Sequence, residues 1–321
     1  PTQRESLARR QKQLLRLVRA LSPHIKLKIV LGFYLIATKV DSVYEIQMPY
    51  EVKQMLNIFS IIVTLGIDTV RTYLSCVNLD GYLNRLVFYM VAPFVFSAVI
   101  LAVAAYRLHR DGVIRAARSA RAITSAIMAY ATPALLMLMF FAYPLVTNIA
   151  FEAFPCHAFT EGDDTVRSWL RADVEVECDT ADHRQVIDVA VLAILLYPVG
   201  LLVLCAALLV RARAAIRSRR ETALSRAVAF LWRDYEPHMW WWELVEMLRR
   251  FVLVGLMQVV VMQGSSLQVI LGMMVSIVFL LFQVQANPYL NDGDDYLGSA
   301  CSFSLTAIFV CCVAFKYAEL T

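Results

Sequence analysis

The feature that most constrains the fold is a series of long apolar stretches separated by short charged connections. Six of them are long enough to cross a lipid bilayer as a helix of 1.5 Å per residue: 84–108, 122–150, 186–210, 243–263, 266–286 and 296–318. A weaker candidate, residues 27–47, reaches the required length only if Lys39, Asp41 and Glu45 are included. The sequence therefore predicts an all-α polytopic transmembrane helix bundle of about seven spans.

The composition agrees with a protein that lies largely in lipid. Hydrophobic residues make up 60% of the 321 residues and charged residues only 17%, whereas soluble domains carry about 25% charged residues. The net charge of +4 is small, so it gives no reason to expect a nucleic-acid partner. The partner that the composition predicts is a lipid bilayer.

The distribution of arginine predicts the orientation of the spans, because positive connections stay in the cytoplasm. Residues 107–121 hold five arginines and residues 211–226 hold six, so both are expected inside. Residues 152–185 hold nine acidic residues and three arginines, so this loop is expected outside. The chain then divides into a basic cytoplasmic or interfacial helix over 1–26 and a transmembrane bundle over 27–321.

The cysteines predict one disulfide and no metal site. Cys156 and Cys178 lie in the same predicted outer loop, and disulfides persist outside the reducing cytosol. Neither the cysteines nor the histidines show the paired spacing that metal sites require. No nucleophile, phosphate-binding or dinucleotide-binding motif is present either, so the chain is not expected to be an enzyme or to use a cofactor.

An unusual group of charges stands at the start of the span predicted over 243–263. Without its first two turns, only 251–263 would remain, about 20 Å of helix and too short for a bilayer. The charges must therefore enter the membrane or its headgroup layer, where an uncompensated charge is costly. At about 100° per residue, Glu243, Glu246 and Arg250 share one face, and Glu246 can pair with Arg250 at i,i+4.

Two interpretations of these charges remain open from the sequence. They lock the helix to its neighbours, or a glutamate lines an ion path or couples a gate. Asp41 and Glu45 also share a helix face, near the outer end of the first candidate span, and either line an entrance or mark where the helix leaves lipid. The candidate residues for an ion path or gate coupling are Glu243, Glu246, Arg249, Arg250, Asp41 and Glu45.

Three consecutive tryptophans, Trp240, Trp241 and Trp242, precede the charged turns. Tryptophan is enriched at membrane–water interfaces because its ring is apolar and its N–H is polar. The three residues are therefore predicted to anchor this helix at the membrane surface.

Residues 235–255, "YEPHMWWWELVEMLRRFVLVG", resemble the signature of a family of multi-pass membrane proteins of algae, oomycetes and other protists. The family is described as TRP-like, meaning similar to transient receptor potential and polycystin channels, and its members often carry cysteine-rich or EGF-like ectodomains. Other blocks resemble the family in the same order along the chain: "KIVLGFYLI" (28–36), "FPCHAF" (154–159), "WLRADVEVECD" (169–179), "YPVG" (197–200), "GSSLQVILG" (264–272) and "PYLNDGDDYL" (288–297).

The resemblance implies a TRP-like cation channel or channel-like subunit in a plasma or ciliary membrane, working as an oligomer or within a larger membrane assembly. The sequence departs from a channel in one respect, because only "QGSS" (263–266) separates two spans and leaves no room for a pore helix. The alternative is a membrane anchor or receptor bundle for an extracellular partner or upstream ectodomain, without ion conduction.

Overall fold

The computed structural model describes residues 23–46, 52, 54, 81–116, 119–160, 166–218, 220, 222–261 and 264–320. The helix predicted over 1–26 lies outside these residues except for 23–26. In chain order the helices are α1 Pro23–Ala37, α2 Val40–Tyr44, α3 Tyr82–Arg110, α4 Val113–Ala116, α5 Ala120–Phe151, α6 Ala181–Ile194, α7 Gly200–Arg217, α8 Ala223–Ala227, α9 Ala229–Trp232, α10 Trp242–Arg250, α11 Met257–Val260, α12 Ser266–Ala286 and α13 Asp292–Leu320. Two π-helical turns, Leu195–Val199 and Phe251–Leu256, join α6 to α7 and α10 to α11.

Five helices of the described chain are long and apolar enough to cross a membrane. They are Tyr82–Arg110, Ala120–Phe151, Ala181–Arg217, Ser266–Ala286 and Asp292–Tyr317. Many of their large apolar side chains face outward: Phe96 and Val203 are 59% and 62% exposed. Such faces suit contact with lipid, and the chain is an integral membrane protein with a helical bundle.

Two further segments run between the same two ends of the bundle. The first comprises α1 and α2, and its helix is interrupted at Thr38 and Lys39. At one end of this segment Lys28 contacts Asp234, and at the other end Glu45 contacts Arg171. The second is the continuous helix 242–260, which begins with the charged turns. The predicted all-α bundle is thus found with five candidate spans, and the count of about seven, which requires these two segments to cross, stays a prediction.

The predicted outer loop contains a short sheet, which the all-α prediction missed. Strands β1 Cys156–Thr160 and β2 Val166–Leu170 form an antiparallel hairpin in which Cys156 lies opposite Leu170. The two strands have five residues each and show no clear apolar alternation, so periodicity could not reveal them. We call the end of the bundle that carries this sheet the hairpin end and the other the opposite end.

The last span begins earlier than the sequence predicted. Helix α13 starts at Asp292, whereas the apolar run placed the start of this span at residue 296. Three carboxylates occupy its first turn. They favour helix because acidic groups stabilise the positive end of the helix dipole.

Candidate functional site

The four charged residues of α10 lie at the opposite end of the bundle, against a pair of loops that bond to each other. The loop before α10 and the loop before α13 meet in a backbone bridge between Tyr235 and Tyr289, supported by a hydrogen bond from the Glu236 N–H to the Pro288 carbonyl (2.9 Å). This pairing fixes the start of α10 relative to α13. The predicted charges therefore enter the bundle at a defined place.

Glu243 is completely buried and is held by two groups from other parts of the chain. Its Oε2 atom lies 2.6 Å from Lys28 Nζ and accepts a hydrogen bond from the Tyr235 hydroxyl at 2.8 Å. Lys28 Nζ also lies 3.4 Å from Asp234 and donates to the Phe230 carbonyl at 3.1 Å. Burial, and then the Glu243 carboxylate, raise the pKa of Tyr235 well above its ordinary value, so the hydroxyl keeps the proton that it donates.

Arg249 ties α10 to α12 and α13. Its Nη1 donates to Ser302 Oγ at 3.2 Å, and Ser302 Oγ donates in turn to Gln283 Oε1 at 2.5 Å. The same nitrogen lies 3.7 Å from Glu246, and the guanidinium carbon sits 3.9 Å from the centre of the Phe279 ring. Arg249 is only 8% exposed, so its charge depends on these contacts rather than on water.

Arg250 reaches a different helix, which corrects one predicted pairing. Its Nη1 donates to the Tyr143 hydroxyl on α5 at 3.3 Å, while the ion pair of Glu246 is formed with Arg249 rather than Arg250. Gly32 explains this direction, because a Cβ there would lie 2.8 Å from Arg250 Nη2. The absence of a side chain at Gly32 thus leaves the room that the Arg250 guanidinium occupies.

These groups form a charge-balanced cluster, which we call the charge latch. Among the residues that the structure describes, three cations face three carboxylates: Lys28, Arg249 and Arg250 against Asp234, Glu243 and Glu246. Removing a single member leaves an unbalanced charge inside the bundle, which is expensive in a medium of low dielectric constant. The latch joins α1, α5, α10, α12 and α13.

The latch surrounds a cavity of about 20 Å³. Three buried polar atoms of the latch have no hydrogen-bond partner among the described residues: Glu243 Oε1, Arg249 Nε and Arg250 Nε. A cavity needs roughly 10–15 Å³ to hold one water molecule. A single water could therefore accept from the guanidinium groups and donate to Glu243, and a hydrated ion would not fit.

Asp41 and Glu45 lie apart from the latch, towards the hairpin end. Glu45 Oε1 is 2.8 Å from Arg171 Nη1, and the Glu45 carbonyl accepts from Lys316 Nζ at 3.3 Å. Glu45 thereby ties the end of α2 to the hairpin and to the end of α13. The structure separates these two acidic residues from the four charged residues of α10, so they do not form one site.

The three tryptophans do not share one environment. Trp242 is completely buried and packs on Phe279 and Phe282, with ring centres 6.0 and 5.1 Å away. Only Trp242 belongs to α10, whereas Trp240 and Trp241 lie in the turn before it, so the three side chains do not share one helix face. Trp242 is therefore a core residue and not an interfacial anchor; for the partly exposed Trp240 and Trp241 the anchor stays a prediction.

The predicted disulfide is present. Cys156 is bonded to Cys178 and closes the hairpin onto the segment before α6. In the described part of the chain these cysteines and His183 are the one group of side chains close enough to hold a metal ion together. Because both sulfurs are bonded to each other and His183 Nε2 lies 3.2 Å from the Ala153 carbonyl, this group is a structural unit.

Sequence reasoning missed the residues that complete the latch. They are Lys28, Gly32, Tyr143, Asp234, Tyr235, Gln283 and Ser302. One available signal was Lys28, a cation directly before an apolar run, and another was Gln283, an amide within a span. Polar residues inside membrane spans tend to pair with one another, but the sequence does not say with which partner.

Comparisons with protein-family models, with curated proteins and with solved structures found no match to this chain. The resemblance to TRP-like proteins thus remains a prediction from the quoted motifs. What can be said about function rests on the geometry of the bundle.

Proposed function

We propose that the chain is a TRP-like cation channel subunit in which the charge latch holds helix 242–260 in its resting position. The observation that carries the proposal is the buried Glu243–Lys28 pair, placed at the start of the helix that leads into a π-helical turn. Glu243 has no exposed surface and Lys28 Nζ lies 2.6 Å from it. The turn Phe251–Leu256 begins at the residue after Arg250.

We take the π-helical turn Phe251–Leu256 as the hinge of helix 242–260 in this proposal. Turns of this kind often kink a helix and occur frequently at functional sites. Gly255 lies in this turn, and a Cβ there would come within 2.3 Å of the Phe151 ring, so the turn packs closely on α5. With the charge latch on one side of this turn, helix 242–260 can adopt two positions. The polar contacts of the latch are made in one position and broken in the other.

Conduction in this proposal takes place between copies of the chain. The cavity within the latch, at about 20 Å³, accommodates one water molecule and no hydrated ion. A path formed by several subunits would use the outer surfaces of the bundles, as a cyclic oligomer allows. We place this assembly in a plasma or ciliary membrane with the hairpin end outside.

Cation flux into liposomes tests the proposal. The purified chain, reconstituted in liposomes with a fluorescent indicator for K⁺ or Ca²⁺ inside, is expected to admit cations faster than protein-free liposomes. Neutral solutes of similar size should stay out. Folded protein whose flux equals that of empty liposomes for both cations would contradict conduction.

One observation favours a second function, that of an anchor or receptor for an extracellular assembly. The hairpin presents apolar side chains to its surroundings: Phe159 is 54% exposed and Val166 is 65% exposed. Exposed apolar side chains at the tip of a disulfide-closed hairpin can contact a protein partner. If the chain does not conduct ions, the anchor or receptor function is the one that remains. The charge latch would then serve only to hold the helices of the bundle together.

A further inference from the structure

A second cavity lies at the hairpin end, remote from the charge latch. Its volume is about 210 Å³, and it lies where the end of α1–α2, the start of α3, the end of α5, the hairpin and α11 meet. The polar residues that matter for its chemistry are Lys39, Ser42, Arg85, Asn148, Glu152 and Arg171. Its wall is thus assembled from parts of the chain that are far apart in sequence.

The wall of this cavity carries an excess of positive charge. Glu152 lies 3.5 Å from Lys39 Nζ and 3.4 Å from Arg85 Nη2, so a single carboxylate forms ion pairs with two cations. Arg171 is balanced separately by Glu45 at 2.8 Å. Among the described lining residues, three cations therefore face one carboxylate, and a bound anion would reduce this excess of positive charge.

Arg85 supplies a donor that none of the described residues uses. Its Nε atom is buried and has no hydrogen-bond partner in the described chain. A carboxylate matches the fork geometry of a guanidinium better than a spherical anion does, because two oxygens can accept from neighbouring nitrogens. Asn148 adds an amide donor to the same wall.

The surroundings restrict the anion to a small one. The segment after the hairpin contains Asp173, Glu175, Glu177 and Asp179, whose field repels extended polyanions. None of these four carboxylates lines the cavity, although Asp173 lies near it and accepts a hydrogen bond from the Tyr82 N–H at 2.8 Å. A small anion inside the cavity is closest to Lys39 and Arg85, so their attraction acts on it most strongly. We infer that this cavity is a binding site for a small soluble organic carboxylate.

Binding of acetate, succinate and citrate to the purified chain tests this inference. The protein is held in nanodiscs of phosphatidylcholine only, so that no anionic lipid competes, and heat of binding is measured by titration calorimetry. At least one carboxylate is expected to bind saturably below about 10 mM, and succinamide, the neutral diamide of succinate, at least about tenfold more weakly. Because no current is measured, the result is independent of the channel proposal.

Two variants locate the site. Lys39→Gln and Arg85→Gln are each expected to raise the dissociation constant about tenfold, the effect of losing one charge-assisted hydrogen bond. Arg110→Gln removes an exposed cation at the opposite end and should bind like the unaltered chain. Lys39→Gln serves as the safer variant, because Arg85 also packs over the Tyr82 ring at 5.0 Å.

Two results would overturn the inference. One is the absence of saturable binding for all three carboxylates below about 10 mM. The other is binding that Lys39→Gln and Arg85→Gln leave unchanged, which would place the carboxylate elsewhere on the chain.

Discussion

Replacing Lys28 with methionine is expected to lower the free energy of unfolding by about 3–5 kcal/mol. The substitution keeps much of the side-chain volume and removes the positive charge that lies 2.6 Å from Glu243. Glu243 has no exposed surface, so water cannot replace the lost partner, and the Tyr235 hydroxyl alone remains on that oxygen. The measurement is unfolding of the detergent-solubilised chain by increasing amounts of SDS, followed by tryptophan fluorescence.

A double variant separates the charge effect from a packing effect. Glu243→Gln added to Lys28→Met removes the unpaired carboxylate and should restore part of the lost stability. Arg110→Met is the control, because Arg110 is 71% exposed and its pair with Asp111 at 3.6 Å lies on the surface, where ion pairs contribute little. Equal losses for Lys28→Met and Arg110→Met would show that the latch does not stabilise the bundle.

The second large effect is expected at the hairpin end. Replacing both Cys156 and Cys178 with serine should destabilise the hairpin by about 3 kcal/mol, since the disulfide closes a segment of 22 residues and restricts its unfolded ensemble. The Cys178 N–H also donates to the Ser168 carbonyl at 2.8 Å, so loss of the disulfide frees β2 as well. Of the described residues between 156 and 178, only Leu170 and Cys178 belong to the buried core of the membrane-spanning helices, so these helices should stay folded.

Limited proteolysis measures this local effect. The double serine variant is expected to be cut within 152–185 at protease concentrations at which the unaltered chain remains intact. Cys311→Ser is the matched control, because the Cys311 thiol is exposed and unbonded. Equal resistance of the double variant and the unaltered chain would contradict a stabilising role for the disulfide.

The five long helices could be predicted from the sequence because a membrane span needs a long apolar run, and Ala120–Phe151 and Ser266–Ala286 provide such runs without ambiguity. The break at Thr38 and Lys39 could not be predicted with the same rule, since it depends on contacts at the end of the bundle. The hairpin was missed because its strands are short. The disulfide was predicted because only two cysteines lie in the outer loop.

The candidate site was predicted in its position but not in its contacts. Helical spacing placed Glu243, Glu246 and Arg250 on one face, yet it could not reveal that Lys28, more than 200 positions away in sequence, supplies the counter-charge. It also could not show that Arg250 lies against Gly32 and donates a hydrogen bond to Tyr143. Such pairings depend on the packing of helices distant in sequence, which local periodicity does not encode.

Single-channel recording of Glu243→Gln tests the central claim, that the charge latch holds helix 242–260 at rest. Neutralising this carboxylate removes the ion pair between Lys28 and its closest partner, which destabilises the resting state. If the resting state alone loses about 1.4 kcal/mol or more, the open probability should rise about tenfold or more. Conductance and ion selectivity should stay the same, because the ion path does not pass through the latch. Glu236→Gln, a change of a 44% exposed glutamate in the same loop region, is the control and should behave like the unaltered chain. An unchanged open probability in Glu243→Gln, or a change confined to conductance and selectivity, would contradict the latch.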